Sequence, residues 1–322
     1  MFKFLILSFI IISTTTIVSA QKNKPDESTP SEDTSGKISY VKVALGVGNQ
    51  LLSLHNKALN ASESVNGIIF TPSVGYYHKS GLGLSLQGYL LNDSGSTNLY
   101  QTSLTPSYEY EGSNVAFGAS YTHFFVKNKY GVVASPIQND FYTSLVSKKG
   151  WINPGVALGY SFGTSKEISL VTVDIPQRGS ITFPDTATTK TKAFSLIGSL
   201  GHSFQFSDVF TKDADLNFTT TLMANAGNAR FDVTHANRYS AVIANRNPGR
   251  GRGRLGGGSG NSSGNGSEIS KFALQSVGAN FELGYSIGQF GFYSQIYFDY
   301  YVPQTDSKRL TQVFNVNVSY SF

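Results

Sequence analysis

The sequence predicts an all-β chain, a transmembrane antiparallel β-barrel of about twelve strands with short turns at one end and long loops at the other. Three observations carry this expectation. The last residues, Leu310 to Phe322, alternate almost without error: Phe314, Val316, Val318, Tyr320 and Phe322 fall on one face, and Val313, Asn315, Asn317, Ser319 and Ser321 on the other. That period of two is a strand. Charged residues make up only 14% of the chain, against roughly 25% in soluble domains, while Gly (33), Phe (23) and Tyr (18) are abundant. Beyond the N-terminal segment no apolar run approaches the ~18 residues of a spanning helix, so a closed sheet is the remaining way to satisfy the backbone in lipid.

Each segment follows from its residues. Met1 to Ala20 has Lys3, an apolar stretch Phe4 to Ile12 and small residues ending Val18-Ser19-Ala20, the pattern of a secretory signal peptide. Residues 21–36 are polar, contain two prolines and lack apolar period, which suits a disordered leader before a barrel spanning residues 37–322. Twelve strands are expected at Ile38–Gly48, Gly67–His78, Gly81–Asn92, Tyr100–Tyr110, Val115–Phe125, Trp151–Phe162, Lys166–Asp174, Lys192–Phe206, Asp215–Gly227, Ser270–Ser286, Phe292–Val302 and Leu310–Phe322. Between the fifth and sixth, Ile137, Phe141 and Leu145 recur at i, i+4 and i+8 behind Ser135-Pro136, and this spacing predicts a short helix in an outward loop.

An exported chain that closes on an aromatic-terminated amphipathic strand resembles the outer-membrane β-barrels of Gram-negative bacteria. The resemblance implies an outer-membrane location, both ends in the periplasm, and a final strand read through Tyr320 and Phe322 by the barrel-assembly machinery, with periplasmic chaperones as transient partners. Short inward connections are then expected at His78–Gly81, Glu111–Asn114, Gly163–Ser165, Ser207–Ala214 and Ile287–Gly291, and longer outward ones at Asn49–Asn66, Val126–Gly150, Ile175–Thr191 and Asn228–Ile269. Tyr76, Tyr108, Tyr110, Tyr160, Phe162, Phe204, Phe206, Tyr285, Phe292, Tyr320 and Phe322 fall near the inward ends, the place of an aromatic girdle.

One register of these strands is apolar, as in Val41-Val43-Leu45, Leu82-Leu84-Leu86 and Val156-Leu158-Tyr160, and is expected to face lipid. The other is mostly Gly, Ser, Thr and Ala, which leaves a barrel of this size an aqueous path or cavity. Lys42, Glu109, Glu282 and Asp299 fall on this inward register as candidate polar determinants of a path for small solutes. Alternatives are an anchor acting through its external loops and, behind it, an outer-membrane lipase or protease.

Cysteine is absent, which removes thiolate chemistry and disulfides. No His pair has metal-ligand spacing, so neither metal, cofactor nor catalytic residue is expected. His123 is followed at position 125 by Phe rather than a nucleophile, and His202 interrupts an apolar register beside Gly201, suggesting a kink or register slip there. Gly251 to Gly256 matches G-x-G-x-x-G without the strand and helix that make it a phosphate cradle. Its neighbours Arg246, Arg250, Arg252 and Arg254 could touch anionic headgroups or lipopolysaccharide. Export argues against nucleic acid as a partner.

Overall fold

A computed structural model describes residues 38–49, 68–93, 96–126, 137–175, 179–212, 214–235, 266–269, 271–302 and 310–322. The expected signal peptide and leader, residues 1–36, and the four arginines lie outside these residues. The strands are β1 (Tyr40–Gly48), β2 (Ile69–Tyr77), β3 (Leu82–Asp93), β4 (Ser96–Glu111), β5 (Val115–Val126), β6 (Asn139–Ser147), β7 (Asn153–Ile175), β8 (Gly179–Ser207), β9 (Ala214–His235), β10 (Gly266–Ile269), β11 (Ala273–Ile287), β12 (Phe290–Tyr301) and β13 (Leu310–Ser321). Every pairing is antiparallel. The ring runs β1 to β9, then β11, β12 and β13, and closes where Val43 meets Tyr320 and Leu45 meets Val318. Twelve strands form the wall, and β10 adds to the outer part of β9.

Strand number agrees with the sequence through two compensating differences. Residues 139–147 are a strand, not a helix. The reason is arithmetic: offsets of four and eight keep Phe141 and Leu145 on one side of a strand as well as of a helix. Both are exposed on the outer wall, whereas Asp140, Tyr142 and Ser144 turn inward. Conversely, Gly163-Thr164-Ser165 makes no turn. β7 runs through it for 23 residues, and Lys166–Asp174 is its continuation.

These two changes reverse the direction of Asn153–Phe162, so Tyr160 and Phe162 belong to the loop end of the wall and not to the turn-end girdle. The connection at 148–152 joins the short turns instead, with the Lys148 amide on the Asn114 carbonyl at 2.8 Å and its ammonium on Glu111 at 2.6 Å. Residues 179–191 and 228–235, expected in loops, continue β8 and β9. A strand needs only about 9–11 residues to cross a bilayer, so β8, at 29 residues, stands well past the wall with its partners. β8 pairs with β9 without a register shift through Gly201 and His202, and its ladder with β7 reaches Gly201. No kink or slip occurs there.

In the turn His78 to Gly81, Gly81 adopts φ +93° and its amide bonds the His78 carbonyl at 2.9 Å. Glycine is required twice over: the angle is unfavourable for a side chain, and a Cβ would lie 2.0 Å from the Glu109 carbonyl oxygen.

Candidate functional site

The outward register of the wall is largely apolar. Val41, Val43 and Leu45 on β1, Leu82, Leu84 and Leu86 on β3, Val156, Leu158 and Tyr160 on β7, and Phe194, Leu196 and Leu200 on β8 are exposed on the outside. On β8 this surface extends from Phe194 to Phe206. Twelve rises of about 3.3 Å tilted by about 40° make roughly 30 Å, the height of a hydrocarbon layer. Aromatic groups stand at both rims. At the turn end the Tyr320 ring packs against both Phe290 and Phe322, with centroids 4.8 Å and 4.7 Å apart. His202 joins them as an outward residue, its ring 4.8 Å from Trp151 and 4.4 Å from Phe204, with Nδ1 against the Trp151 carbonyl.

The opposite register faces the lumen and is held by hydrogen bonds between strands, among them Thr105 to Thr122 at 3.0 Å and Ser203 to Thr219 at 2.8 Å. It is not lined only by small residues. Ile69, Tyr89, Leu91, Tyr100 and Phe124 form a buried apolar cluster on the inner side of β2 to β5, Tyr77, Tyr142 and Tyr293 are register partners of Gly83, Gly159 and Gly284, and Tyr297 lies over Gly278. Gly278 is one such glycine: a Cβ there would meet the Tyr297 hydroxyl at 2.6 Å.

All four expected polar determinants are placed inward, as two groups. Lys42 on β1 interacts electrostatically with Glu109 on β4 near the turn end, with Tyr40 and Tyr77 stacked beside them at 5.1 Å. Glu282 and Asp299 lie on the β11–β12 pair and are almost completely buried. The Glu282 carboxylate accepts from Asn280 at 2.6 Å and from Gln295 at 3.4 Å, while Asp299 accepts from the Tyr297 hydroxyl at 2.8 Å.

Sequence reasoning missed Asp140, which faces inward and accepts from Ser161 at 2.5 Å. Reading residues 137–147 at period two would have found it. On the outside, His123 has an unanticipated partner in Asn139, with Nδ1 2.8 Å from Oδ1. Position 125 is Phe, and the Tyr121 hydroxyl donates to the same Asn139 oxygen at 2.7 Å. Among the described residues no group of His, Asp and Glu could hold a metal ion.

A closed wall that is largely apolar outside and largely polar inside, with aromatic groups at both rims, defines a transmembrane β-barrel. No family model and no curated protein matches the chain. Similar solved structures include the NanC porin, at 12% identity over 87% of this chain and 98% of that one with a TM-score of 0.36. Others are OmpT, an outer membrane protein of Vibrio cholerae, at 9% identity over 88% and 96% with a TM-score of 0.22, and the beta domain of the Bordetella autotransporter BrkA, at 9% identity over 88% and 100% with a TM-score of 0.21.

Proposed function

We propose that this protein is an outer-membrane channel for passive diffusion of small solutes. In this reading an N-terminal signal exports it, both mature ends lie in the periplasm, and the long loops face outside. One observation supports it above others: the inward register of a closed twelve-strand ring is polar and carries charged groups, an arrangement suited to water and expensive against a dry core. Lys42, Glu109, Glu282 and Asp299 are then the polar determinants of the path. Purified, folded protein in planar lipid bilayers is expected to give discrete conductance steps. Folded protein that never conducts would remove the reading.

The extension of β7, β8 and β9 beyond the wall, with β10 added to it, favours a second role, as a surface platform that binds a partner outside the cell. Deleting residues 237–267 is expected to abolish that binding while preserving conductance. A hydrolase reading is weaker, since the outward His123–Asn139 pair has Phe at position 125, two residues on, and not a nucleophile. A lipase or protease assay on the refolded protein tests it.

A further inference from the structure

Two successive outward rows cross strands β5 to β8 at the loop end. In the first, Tyr121, Phe141, Tyr160 and Phe194 are direct register partners, and the Tyr121 and Phe141 rings are 4.6 Å apart. Two residues nearer the loops, about 7 Å along the strands, His123, Asn139, Phe162 and Lys192 are partners in the same way. Lys190 follows on β8.

Charge on the outside of a barrel is tolerated only near the interface. Among outward strand residues whose side chains are described, the charged ones are Lys190 and Lys192, and both are exposed. They stand immediately above the aromatic row, at the depth of lipid headgroups. The turn-end rim has exposed aromatics such as Tyr76, Tyr108, Phe204 and Phe206 on its strands, and its exposed lysines, Lys79, Lys148, Lys149 and Lys212, lie in the connecting turns and not on the outward strand register.

Asn139 fixes the chemistry of the row's other end. Its Nδ2 donates to the Phe162 carbonyl at 3.4 Å, and its Oδ1 accepts from the Tyr121 hydroxyl. The same oxygen faces His123 Nδ1, so that nitrogen carries the proton. With Nδ1 engaged by Asn139, Nε2 is the His123 nitrogen left to meet a hydroxyl. Lys192 stands three strands away, about 15 Å, close enough for both ends to touch one large headgroup lying across Phe162. A phosphate answers the ammonium groups, a sugar hydroxyl answers the imidazole, and the aromatic row below answers acyl chains.

We propose that His123, Lys190 and Lys192, set around Phe162, form a binding site for a phosphorylated glycolipid of the outer leaflet. The site relies on the orientation given above and not on whether the lumen conducts. Folded protein in detergent micelles, titrated by calorimetry with diphosphorylated lipid A, is expected to bind it at least tenfold more tightly than the same lipid stripped of phosphate or than phosphatidylglycerol. K190Q/K192Q is expected to lose most of the margin over the stripped lipid, and His123→Ala part of the margin over phosphatidylglycerol. Equal wild-type affinity for lipid A and its stripped form overturns the site without recourse to any variant. Equal affinity for lipid A and phosphatidylglycerol overturns it in favour of a plain anionic-lipid surface, and an unchanged margin in a correctly folded double-lysine variant overturns the assignment to these residues.

Discussion

Phe322 closes the ring on Val41: its amide donates to the Val41 carbonyl at 2.9 Å, and the Val41 amide returns to its carbonyl at 3.4 Å. The Phe322 side chain is 69% exposed and touches Tyr320, with ring centroids 4.7 Å apart. Deleting Phe322 therefore removes two backbone hydrogen bonds and little packing, a loss of about 1–3 kcal/mol. Refolding into detergent is expected to fall only slightly, whereas assembly in cells falls severalfold if Tyr320 and Phe322 are recognised there. Equal losses by heat-shift electrophoresis of both preparations would count against a recognition role.

The strand assignment of β6 has its own test. Leu145 faces outward and Ser144 inward. Leu145→Lys is expected to destabilise the protein by about 2–4 kcal/mol, the effect of an ammonium group facing the middle of a bilayer, while Ser144→Lys has a much smaller effect. Urea unfolding in lipid vesicles separates them. Similar small effects at both positions would contradict the observed register.

Glycine positions differ sharply. Gly81→Ala is expected to reduce stability by about 1–3 kcal/mol, because its left-handed angle and the nearby carbonyl of Glu109 both resist a Cβ. Gly198→Ala, with open space around its position, is expected to be neutral or slightly stabilising. The same unfolding measurement compares them.

In the lumen, Lys42 is the basic member of the expected polar set. Lys42→Gln is expected to raise cation over anion permeability by about twofold, since it removes a positive charge from the wall and leaves Glu109 without that electrostatic partner. The reversal potential under a salt gradient reports it. Glu282→Gln should move selectivity the opposite way while preserving the fold, because one amide oxygen still accepts from Asn280 and Gln295.

Local sequence alone determined the period of two, and with it the apolar face of Val41, Val43 and Leu45, the inward placement of Lys42, Glu109, Glu282 and Asp299, and the closing strand ending at Phe322. These follow from neighbours one or two positions away, where the alternation of side chains is fixed by backbone geometry. Residues 137–147 were illegible for the same reason, since a spacing of four satisfies a helix and a strand equally. Only the pairing of β6 with both β5 and β7 decided between them, by giving each backbone group of that segment a partner across the sheet. The continuation of β7 past Gly163 was likewise decided by its ladder with β8. That pairing set the direction of Tyr160 and Phe162, brought Asp140 into the lumen, and joined His123, Asn139, Phe162 and Lys192 in one row. Residues so distant along the chain become neighbours only through the register of strands, which no local pattern encodes.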